Sequence, residues 1–131
     1  MKIHKGGCHC GAVRFAVKAE LGEIIYCHCD QCRRQTGHYL AATSAPQKKL
    51  SLTGEDNLSW FQSSATARRG FCRICGSGLF WKNQKSSSIS ILAGALDQPT
   101  GLKVAGHLFV SQKPDYYEIT DGLPQHQRWD K

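Results

Sequence analysis

Residues 8–10 read Cys-His-Cys, residues 27–32 read Cys-His-Cys-Asp-Gln-Cys, and residues 72–75 read Cys-Arg-Ile-Cys. These three segments contain all seven cysteines of the chain. Within each segment the thiols are close enough to bind one metal ion, and too close to form a disulfide with each other without strain. Because structural zinc takes four ligands in a tetrahedron, a segment with two cysteines supplies half a site and needs a partner segment.

The first and third segments together form the expected structural site. Roughly 60 residues separate them, so a metal ion that joined them would close a long loop and stabilise a small β domain with a modest core. Gly11 and Gly76 follow the two segments and allow the tight turns that such a site needs. We therefore predict a closed four-thiolate zinc site, the four-cysteine cluster, with the ligands Cys8, Cys10, Cys72 and Cys75.

The middle segment differs, because Cys27, Cys29 and Cys32 lie within six residues and no cysteine is left for a fourth corner. An open coordination position distinguishes catalytic zinc from structural zinc. We therefore predict that these three residues, the three-cysteine cluster, hold a second, catalytic zinc ion. The alternative is a second closed site in which His28, or a distant histidine such as His107, is the fourth ligand. His28 is a poor candidate, because a residue flanked by two ligands usually directs its side chain away from their metal.

The three-cysteine cluster favours thiol chemistry over hydrolysis. A zinc ion held by three thiolates is electron-rich, so it activates water weakly and is better suited to bind a further thiolate or to polarise a carbonyl group. Arg33 and Arg34 follow Cys32 directly. They could hold a substrate carboxylate through paired hydrogen bonds, or they could be solvated surface residues.

The composition indicates a single globular domain over residues 1–131. The hydrophobic content is 40%, and no segment is of low complexity, so one modest core is expected. The basic N-terminal residues are not followed by an apolar run, so we expect no secretory signal. The longest apolar stretch, residues 91–96, is far shorter than the ~20 residues of a membrane helix. We expect a soluble, cytoplasmic protein, in which thiols stay reduced.

The formal net charge of +7 does not by itself indicate nucleic-acid binding. Seven thiolates on two Zn²⁺ ions would bring the net charge to about +4, which is ordinary for a soluble domain. The basic residues are scattered, whereas nucleic-acid recognition requires a basic stripe. An anionic small substrate would use the same charge. We expect a small-molecule partner, with neither nucleic acid nor a membrane, and the sequence leaves the oligomeric state open.

Short extended segments dominate the predicted secondary structure. Val13, Phe15 and Val17 alternate with more polar positions, as in a half-buried strand. A helix of one or two turns is predicted at 30–35, ended by Thr36-Gly37. Because extended segments recur about every ten residues with turn residues between them, the predicted fold class is mainly β. Further strands are predicted at 23–26, 38–43, 50–52, 65–71, 79–81, 89–93 and 103–110.

The order and spacing of the three segments resemble the glutathione-dependent formaldehyde-activating enzyme family, also called the centromere-protein-V domain family. The likeness extends over nearly the whole chain, including a histidine-led strand at 107–110 and then Lys113-Pro114. The resemblance implies a mainly β, single small zinc-bound domain of short antiparallel sheets, of the Mss4-like kind. It also implies a structural zinc on the four-cysteine cluster and a second zinc on the three-cysteine cluster. The founding activity of the family joins glutathione and formaldehyde into S-hydroxymethylglutathione, a carbon–sulfur lyase reaction.

Two functional hypotheses follow. In the first, the protein is a zinc-dependent carbon–sulfur lyase or synthase that acts on a thiol such as glutathione and a small aldehyde such as formaldehyde. Cys27, Cys29 and Cys32 then form its catalytic site. In the second, the protein is a non-enzymatic zinc module that binds a macromolecular partner, and both zinc ions are structural. The lack of a basic tail or arm in the sequence counts against this second hypothesis.

Overall fold

The computed structural model describes residues 2–129. The chain falls into two compact units: unit 1 comprises Met1–Gly22 and Thr43–Gly101, and unit 2 comprises Glu23–Ala42 and Leu102–Lys131. No helix in the described part is long and apolar enough to cross a lipid bilayer. The assignment of the whole chain to one zinc domain stays a prediction.

Strands dominate the secondary structure. In chain order the regular elements are β1 Ile3–Gly7, β2 Arg14–Lys18, β3 Ile24–Cys27, α1 Asp30–Thr36, β4 Leu40–Pro46, β5 Leu50–Thr53, β6 Leu58–Gln62, β7 Ala67–Cys72, β8 Gly78–Asn83, β9 Ser88–Leu92 and β10 Val104–Leu108. Short 3-10 turns lie at Gln47–Lys49, Glu55–Asn57, Ala93–Ala95 and Val110–Gln112. This confirms the mainly β prediction, and the strand pairing is mostly antiparallel.

Unit 1 has an apolar core between antiparallel strands. One sheet has the strand order β1-β2-β5. In a second sheet, the end of β4 is followed by β9, β8, β7 and β6, in that order. Val13, Phe15 and Val17 are buried, as their alternation predicts, and the ring of Phe15 packs edge-on against Phe80 at 5.3 Å between centroids. The other large apolar side chains buried in this unit are Leu79, Ile89, Ile91 and Leu96.

Unit 2 is built around β3, which has a partner on each side. β10 pairs with β3 in parallel, whereas the start of β4 pairs with β3 antiparallel. The predicted sheets were antiparallel, and the pairing is mostly so; the β3–β10 pair adds a parallel contact that the sequence did not indicate. Its register places His107 beside Tyr26 and Leu108 beside Cys27, so the end of β10 lies next to the first cysteine of the three-cysteine cluster.

The helix α1 directly follows β3 and carries the rest of the three-cysteine cluster. Cys29 is its N-cap, with extended backbone angles. Gly37 ends the helix at φ 89°, a left-handed conformation that glycine adopts without strain, and its N–H donates to the Arg33 carbonyl at 2.8 Å. The helix and its glycine stop were predicted from the sequence, and both are confirmed.

Two strands were not predicted. β1 contains Gly6 and Gly7, residues that suggest a turn, yet its side chains alternate between buried and exposed and the strand pairs with β2 along its full length. β6 pairs with β7 over its whole length. In both cases the partner is the next strand along the chain, and the pairing with that strand decides the conformation of the segment.

Candidate functional site

The four-cysteine cluster lies in unit 1 and joins two turns. Cys8 directly follows β1, and Cys72 is the last residue of β7. The Sγ atoms of Cys8 and Cys10 are 3.7 Å apart, and those of Cys10 and Cys72 are 3.8 Å apart. All four ligand atoms, including that of Cys75, lie within 4.8 Å of one another, and all four cysteines are free.

Hydrogen-bond donors surround the sulfurs at the second of these turns. The backbone N–H groups of Ile74 and Cys75 donate to the Sγ of Cys72 at 3.4 and 3.5 Å. The Sγ of Cys75 lies 3.2 Å from the hydroxyl of Ser77. Hydrogen bonds from the Ser77 side chain and backbone lower the pKa of Cys75 to about 5. This turn therefore stabilises the thiolate form of Cys75.

The four-cysteine cluster fits a zinc ion. A tetrahedron with Zn–S bonds of about 2.3 Å has sulfurs ~3.8 Å apart, and the measured separations are 3.7 and 3.8 Å. Without a cation, the neighbouring thiols disfavour the ionisation of Cys10. The Ala12 backbone lowers the pKa of Cys10, but desolvation and the neighbouring thiols together raise it to about 11. A bound cation lets all the thiols ionise, so this cluster could hold a metal ion, and its soft ligands suit zinc.

The three-cysteine cluster lies in unit 2, at the junction of β3 and α1. Cys27 is the last residue of β3, Cys29 caps α1, and Cys32 is a buried residue of α1. The three Sγ atoms lie within 4.8 Å of one another, and the Cys32 N–H donates to the Cys29 Sγ at 3.3 Å. The adjoining Cys29 and Cys32 thiols, with burial, raise the pKa of Cys27. These sulfurs too could hold a metal ion.

The side chain of His28 points away from the flanking cysteine sulfurs and makes hydrogen bonds with Tyr117 and His107. Its Nδ1 lies 2.5 Å from the hydroxyl of Tyr117, and its Nε2 lies 2.8 Å from the Nδ1 of His107. The side chain is 1% exposed. Burial, followed by the effect of His107, lowers the pKa of His28 to about 4, so the ring is neutral at neutral pH.

His107 is also held on both ring nitrogens. Its Nδ1 meets His28, and its Nε2 lies 2.8 and 3.1 Å from the two carboxylate oxygens of Asp121. Within residues 2–129, the groups of His, Cys, Asp and Glu side chains that could hold a metal ion are the two cysteine clusters. Neither histidine that was considered as a fourth ligand therefore belongs to the three-cysteine cluster.

Tyr117, His28, His107 and Asp121 form a continuous hydrogen-bonded series, named here the polar chain. Sequence reasoning identified the two histidines as candidates but missed Tyr117 and Asp121. Both lie in the irregular segment after β10, where no periodic pattern marks them. The signal available in the sequence was His28 itself, because a histidine between two metal ligands needs hydrogen-bond partners elsewhere.

Arg33 and Arg34, predicted as either substrate-binding or surface residues, both contact Asp30. The Nη2 atom of Arg33 lies 2.6 Å from one carboxylate oxygen of Asp30, and the Nε atom of Arg34 lies 3.2 Å from the other. These pairs are partly exposed, so each contributes little to stability. Two guanidinium groups against one carboxylate leave this face of α1 positively charged.

Comparisons with known proteins agree with these features. The sequence profile described as glutathione-dependent formaldehyde-activating enzyme matches residues 3–112. An uncharacterized lyase of Schizosaccharomyces pombe is 28% identical over 123 residues, which cover 92% of this chain and 88% of that protein. A candidate glutathione-dependent formaldehyde-activating enzyme of Halomonas elongata is 30% identical over 128 residues, which cover 88% of this chain and 80% of that protein.

A solved structure is similar as well. The crystal structure of a Rhodobacter sphaeroides protein matches with a TM-score of 0.63 and 29% sequence identity, over 76% of this chain and 97% of that one. The profile match covers more than half of the chain and includes both cysteine clusters. The chain belongs to the glutathione-dependent formaldehyde-activating enzyme family.

Proposed function

We propose that this protein is a zinc-dependent carbon–sulfur lyase that forms and cleaves the adduct of a thiol, such as glutathione, and a small aldehyde, such as formaldehyde. In the forward direction the thiol loses its proton, the sulfur bonds to the carbonyl carbon, and the carbonyl oxygen gains a proton. The reverse reaction breaks the carbon–sulfur bond and returns the proton to sulfur. Membership of the family and the names of its relatives support a reaction of this class.

One observation carries the proposal: the three-cysteine cluster presents three sulfurs, whereas the nearby histidines are hydrogen-bonded to each other and to other groups. Three protein ligands are the ligand set of a catalytic zinc site, and four are that of a structural one. We therefore assign the catalytic zinc to Cys27, Cys29 and Cys32. The structural zinc belongs to the four-cysteine cluster.

Zinc bound at the three-cysteine cluster would supply a Lewis-acidic position that suits a soft ligand or a carbonyl oxygen. The chain's own residues hold the ligand sulfurs in place. β3 fixes Cys27, and α1 fixes Cys29 and Cys32, with the Cys32 N–H directed at the Cys29 sulfur. Sulfurs placed on a strand end and a helix start are positioned by regular backbone, as a reacting site requires.

The positive face of α1 supports an anionic thiol as the substrate. Each guanidinium of Arg33 and Arg34 has five N–H donors, so the bonds to Asp30 leave donors available to a substrate carboxylate. Glutathione carries two carboxylates. A reducing, cytoplasmic setting also suits this chemistry, since none of the seven cysteines, all of which lie within residues 2–129, forms a disulfide.

Exchange spectroscopy tests the proposed reaction. Glutathione and formaldehyde form S-hydroxymethylglutathione slowly on their own, and two-dimensional exchange NMR measures the interconversion at equilibrium. The zinc-loaded protein should increase the exchange rate in proportion to its concentration. An exchange rate that does not change at any protein concentration would remove this substrate pair.

Cys29→Ser is the matched control for this experiment. The variant keeps every lysine and six of the seven cysteines, so non-specific reactions of formaldehyde with the protein are preserved. Serine is also a good N-cap, so α1 should retain its start. The variant should lose most of the acceleration. Acceleration equal to that of the wild type would place the chemistry away from the three-cysteine cluster.

A further inference from the structure

The strand β6, Leu58–Gln62, lies at the edge of its sheet. Within residues 2–129, β7 is its pairing partner and no strand lies on its other side. The Arg73 N–H donates to the Asn57 carbonyl at 2.9 Å, and the Ser63 N–H donates to the Ala67 carbonyl at 3.0 Å. Because hydrogen-bonded pairs alternate along an antiparallel ladder, the odd-numbered residues of β6 bond to β7. The N–H and C=O groups of its even-numbered residues therefore point away from β7.

Most of these outward groups have no partner in the described part of the chain. The Leu58 N–H is bonded, because it donates to the Glu55 carbonyl in the preceding 3-10 turn. The N–H groups of Trp60 and Gln62 and the C=O groups of all three residues make no backbone hydrogen bond within residues 2–129. The Trp60 ring leaves this edge uncovered, since it lies over β7, 3.0 Å from the position that a Cβ on Gly70 would take.

The other sheet edges of the protein are covered or shielded. The Asp97 N–H donates to the Lys5 carbonyl of β1 at 2.8 Å, and the His107 N–H of β10 donates to the Pro124 carbonyl at 2.9 Å. β5 follows the two lysines at 48–49, and such charges keep sheet edges apart. The sequence of β6, Leu-Ser-Trp-Phe-Gln, contains no charge and no proline, and its pairing with β7 has no bulge. β6 is therefore an edge that is open to pairing.

The free groups of β6 fit a second copy of the same strand. In an antiparallel pair with a twofold axis at Trp60, the Trp60 N–H of each copy meets the Trp60 carbonyl of the other. The Gln62 N–H of each copy then meets a Leu58 carbonyl. The opposite direction, from Leu58 N–H to Gln62 carbonyl, is not needed, because the Leu58 N–H already has its acceptor. The free donors thus each find an acceptor without loss of a bond within the chain.

Charge and apolar surface agree with the same partner. Glu55 and Asp56 lie just before β6, whereas Arg68 lies on β7 beside the last residue of β6. Antiparallel pairing brings the acidic end of each copy toward the basic end of the other. The side chain of Phe61 is 50% exposed. It would lie opposite Ser59 and diagonal to Phe61 of the other copy, which is within the reach of an aromatic side chain.

We propose that β6 is a homodimer interface, at which the β6 strands of two copies pair antiparallel around Trp60 and join two sheets into one. The partner is a second copy of this chain because the free donors, the free acceptors and the flanking charges of β6 complement themselves about one residue. The inference goes beyond the proposed function and does not depend on it, since the pairing uses no ligand of either cysteine cluster.

Light scattering after size-exclusion chromatography tests for the dimer. A strand pair of this length is a small interface, so a dissociation constant in the micromolar range is expected. Between roughly 1 and 500 µM, the mass of the zinc-loaded protein should therefore rise from 14.5 kDa to twice that value. A mass that stays at 14.5 kDa at the highest concentration overturns the proposal.

Amide hydrogen exchange, followed by NMR, locates the interface. The N–H groups of Trp60 and Gln62 should exchange at least about tenfold more slowly at high protein concentration than at low concentration, because a hydrogen-bonded amide is protected. The Leu58 N–H is the internal reference, since its bond to the Glu55 carbonyl is the same in monomer and dimer. A dimer in which Trp60 and Gln62 exchange as fast as in the monomer uses another surface and overturns the proposal.

Two variants should weaken the dimer in different ways. Phe61→Lys places two like charges diagonally across the interface and should raise the dissociation constant at least about tenfold. Gln62→Pro removes an N–H that points away from β7, so the bonds within the sheet remain, and should have a similar effect. The matched control is Ile3→Lys, because Ile3 is also a 50% exposed apolar residue of a strand. Its dissociation constant should stay within about twofold of the wild type.

Zinc content and circular dichroism establish that each variant is folded. If the proline variant does not fold, Phe61→Lys and its control decide the question by themselves. A dissociation constant of Phe61→Lys equal to that of the wild type overturns the proposal. An equal weakening in Phe61→Lys and Ile3→Lys also overturns it, because the effect would then come from added charge in general.

Discussion

The two cysteine clusters use the same ligand atom in different surroundings. The four-cysteine cluster has a complete set of sulfurs and lies in the unit whose core is apolar, with Phe15 and Phe80 among its buried rings. The three-cysteine cluster has one sulfur fewer, and the polar chain with its buried His28 and His107 adjoins it. Four ligands next to an apolar core are typical of a structural metal site. Three ligands beside ordered polar groups are typical of a site where a metal ion can bind a substrate.

The largest difference between the clusters should appear when one ligand is removed from each. Cys72→Ser removes a fully buried ligand and should lower the free energy of unfolding by several kcal/mol, on the order of the whole stability of a small domain. Cys29→Ser should cost less than about 2 kcal/mol, because serine can still cap α1. Urea unfolding of the two zinc-loaded variants measures both values. Equal losses would contradict the division into a structural and a catalytic site.

Graded chelation should separate the clusters by the ease with which they lose metal. We expect two zinc ions per chain, with the ion of the three-cysteine cluster removed at least about tenfold faster, since it has fewer protein ligands. Elemental analysis during treatment with a weak chelator follows the loss. The Cys29→Ser variant should contain only the slowly removed ion. Release of both ions at one rate would show that the two sites are equivalent.

Acid should lower the stability of the folded protein through His28, the buried histidine next to the three-cysteine cluster. The pKa of His28 is lowered from 6.5 to about 4 in the folded protein, so between these values the unfolded chain binds the additional proton. Stability should therefore fall as the pH drops from about 6.5 toward 4, by at most about 1.4 kcal/mol per pH unit from this residue. Urea unfolding at several pH values measures the slope. His28→Gln should flatten it, and an unchanged slope would assign the acid sensitivity to the thiols alone.

The smallest effect should come from a surface ion pair in unit 1. Arg14 and Asp97 meet at 2.7 Å, but their side chains are 43% and 53% exposed. Asp97→Asn should therefore cost less than about 1 kcal/mol, and less still at high salt. Thermal unfolding at two ionic strengths checks this value. A larger loss would mean that surface charge, in addition to the metal ligands and the core, stabilises this unit.

Local patterns in the sequence were sufficient for much of the fold. The alternation around Phe15 identified β2, and Gly37 marked the end of α1, because both signals depend on neighbouring residues. The grouping of the cysteines also followed from spacing, and both groups come together in the structure. The catalytic assignment of the three-cysteine cluster stays a proposal.

The remaining features depend on residues far apart in the chain. β10 pairs in parallel with β3 across about 80 residues, and no local pattern specifies such a pairing. The polar chain likewise joins His28 to Tyr117 and Asp121 across a similar separation. Sequence reasoning could state that His28 needed partners, but the identity of those partners was decided by tertiary structure.

The discontinuous make-up of unit 2 has a consequence for protein synthesis. A ribosome releases the chain from its N-terminus, so Cys75 emerges, and the four-cysteine cluster has all its sulfurs, before β10 emerges. The sulfurs of Cys27, Cys29 and Cys32 emerge earlier but must wait for Leu108 and Asp121 before strand pairing and the histidine network can form around them. During that interval the three thiols are open to oxidants and to stray metal ions. A nascent chain stalled after β9 should therefore be more sensitive to peroxide at these three positions than the completed protein.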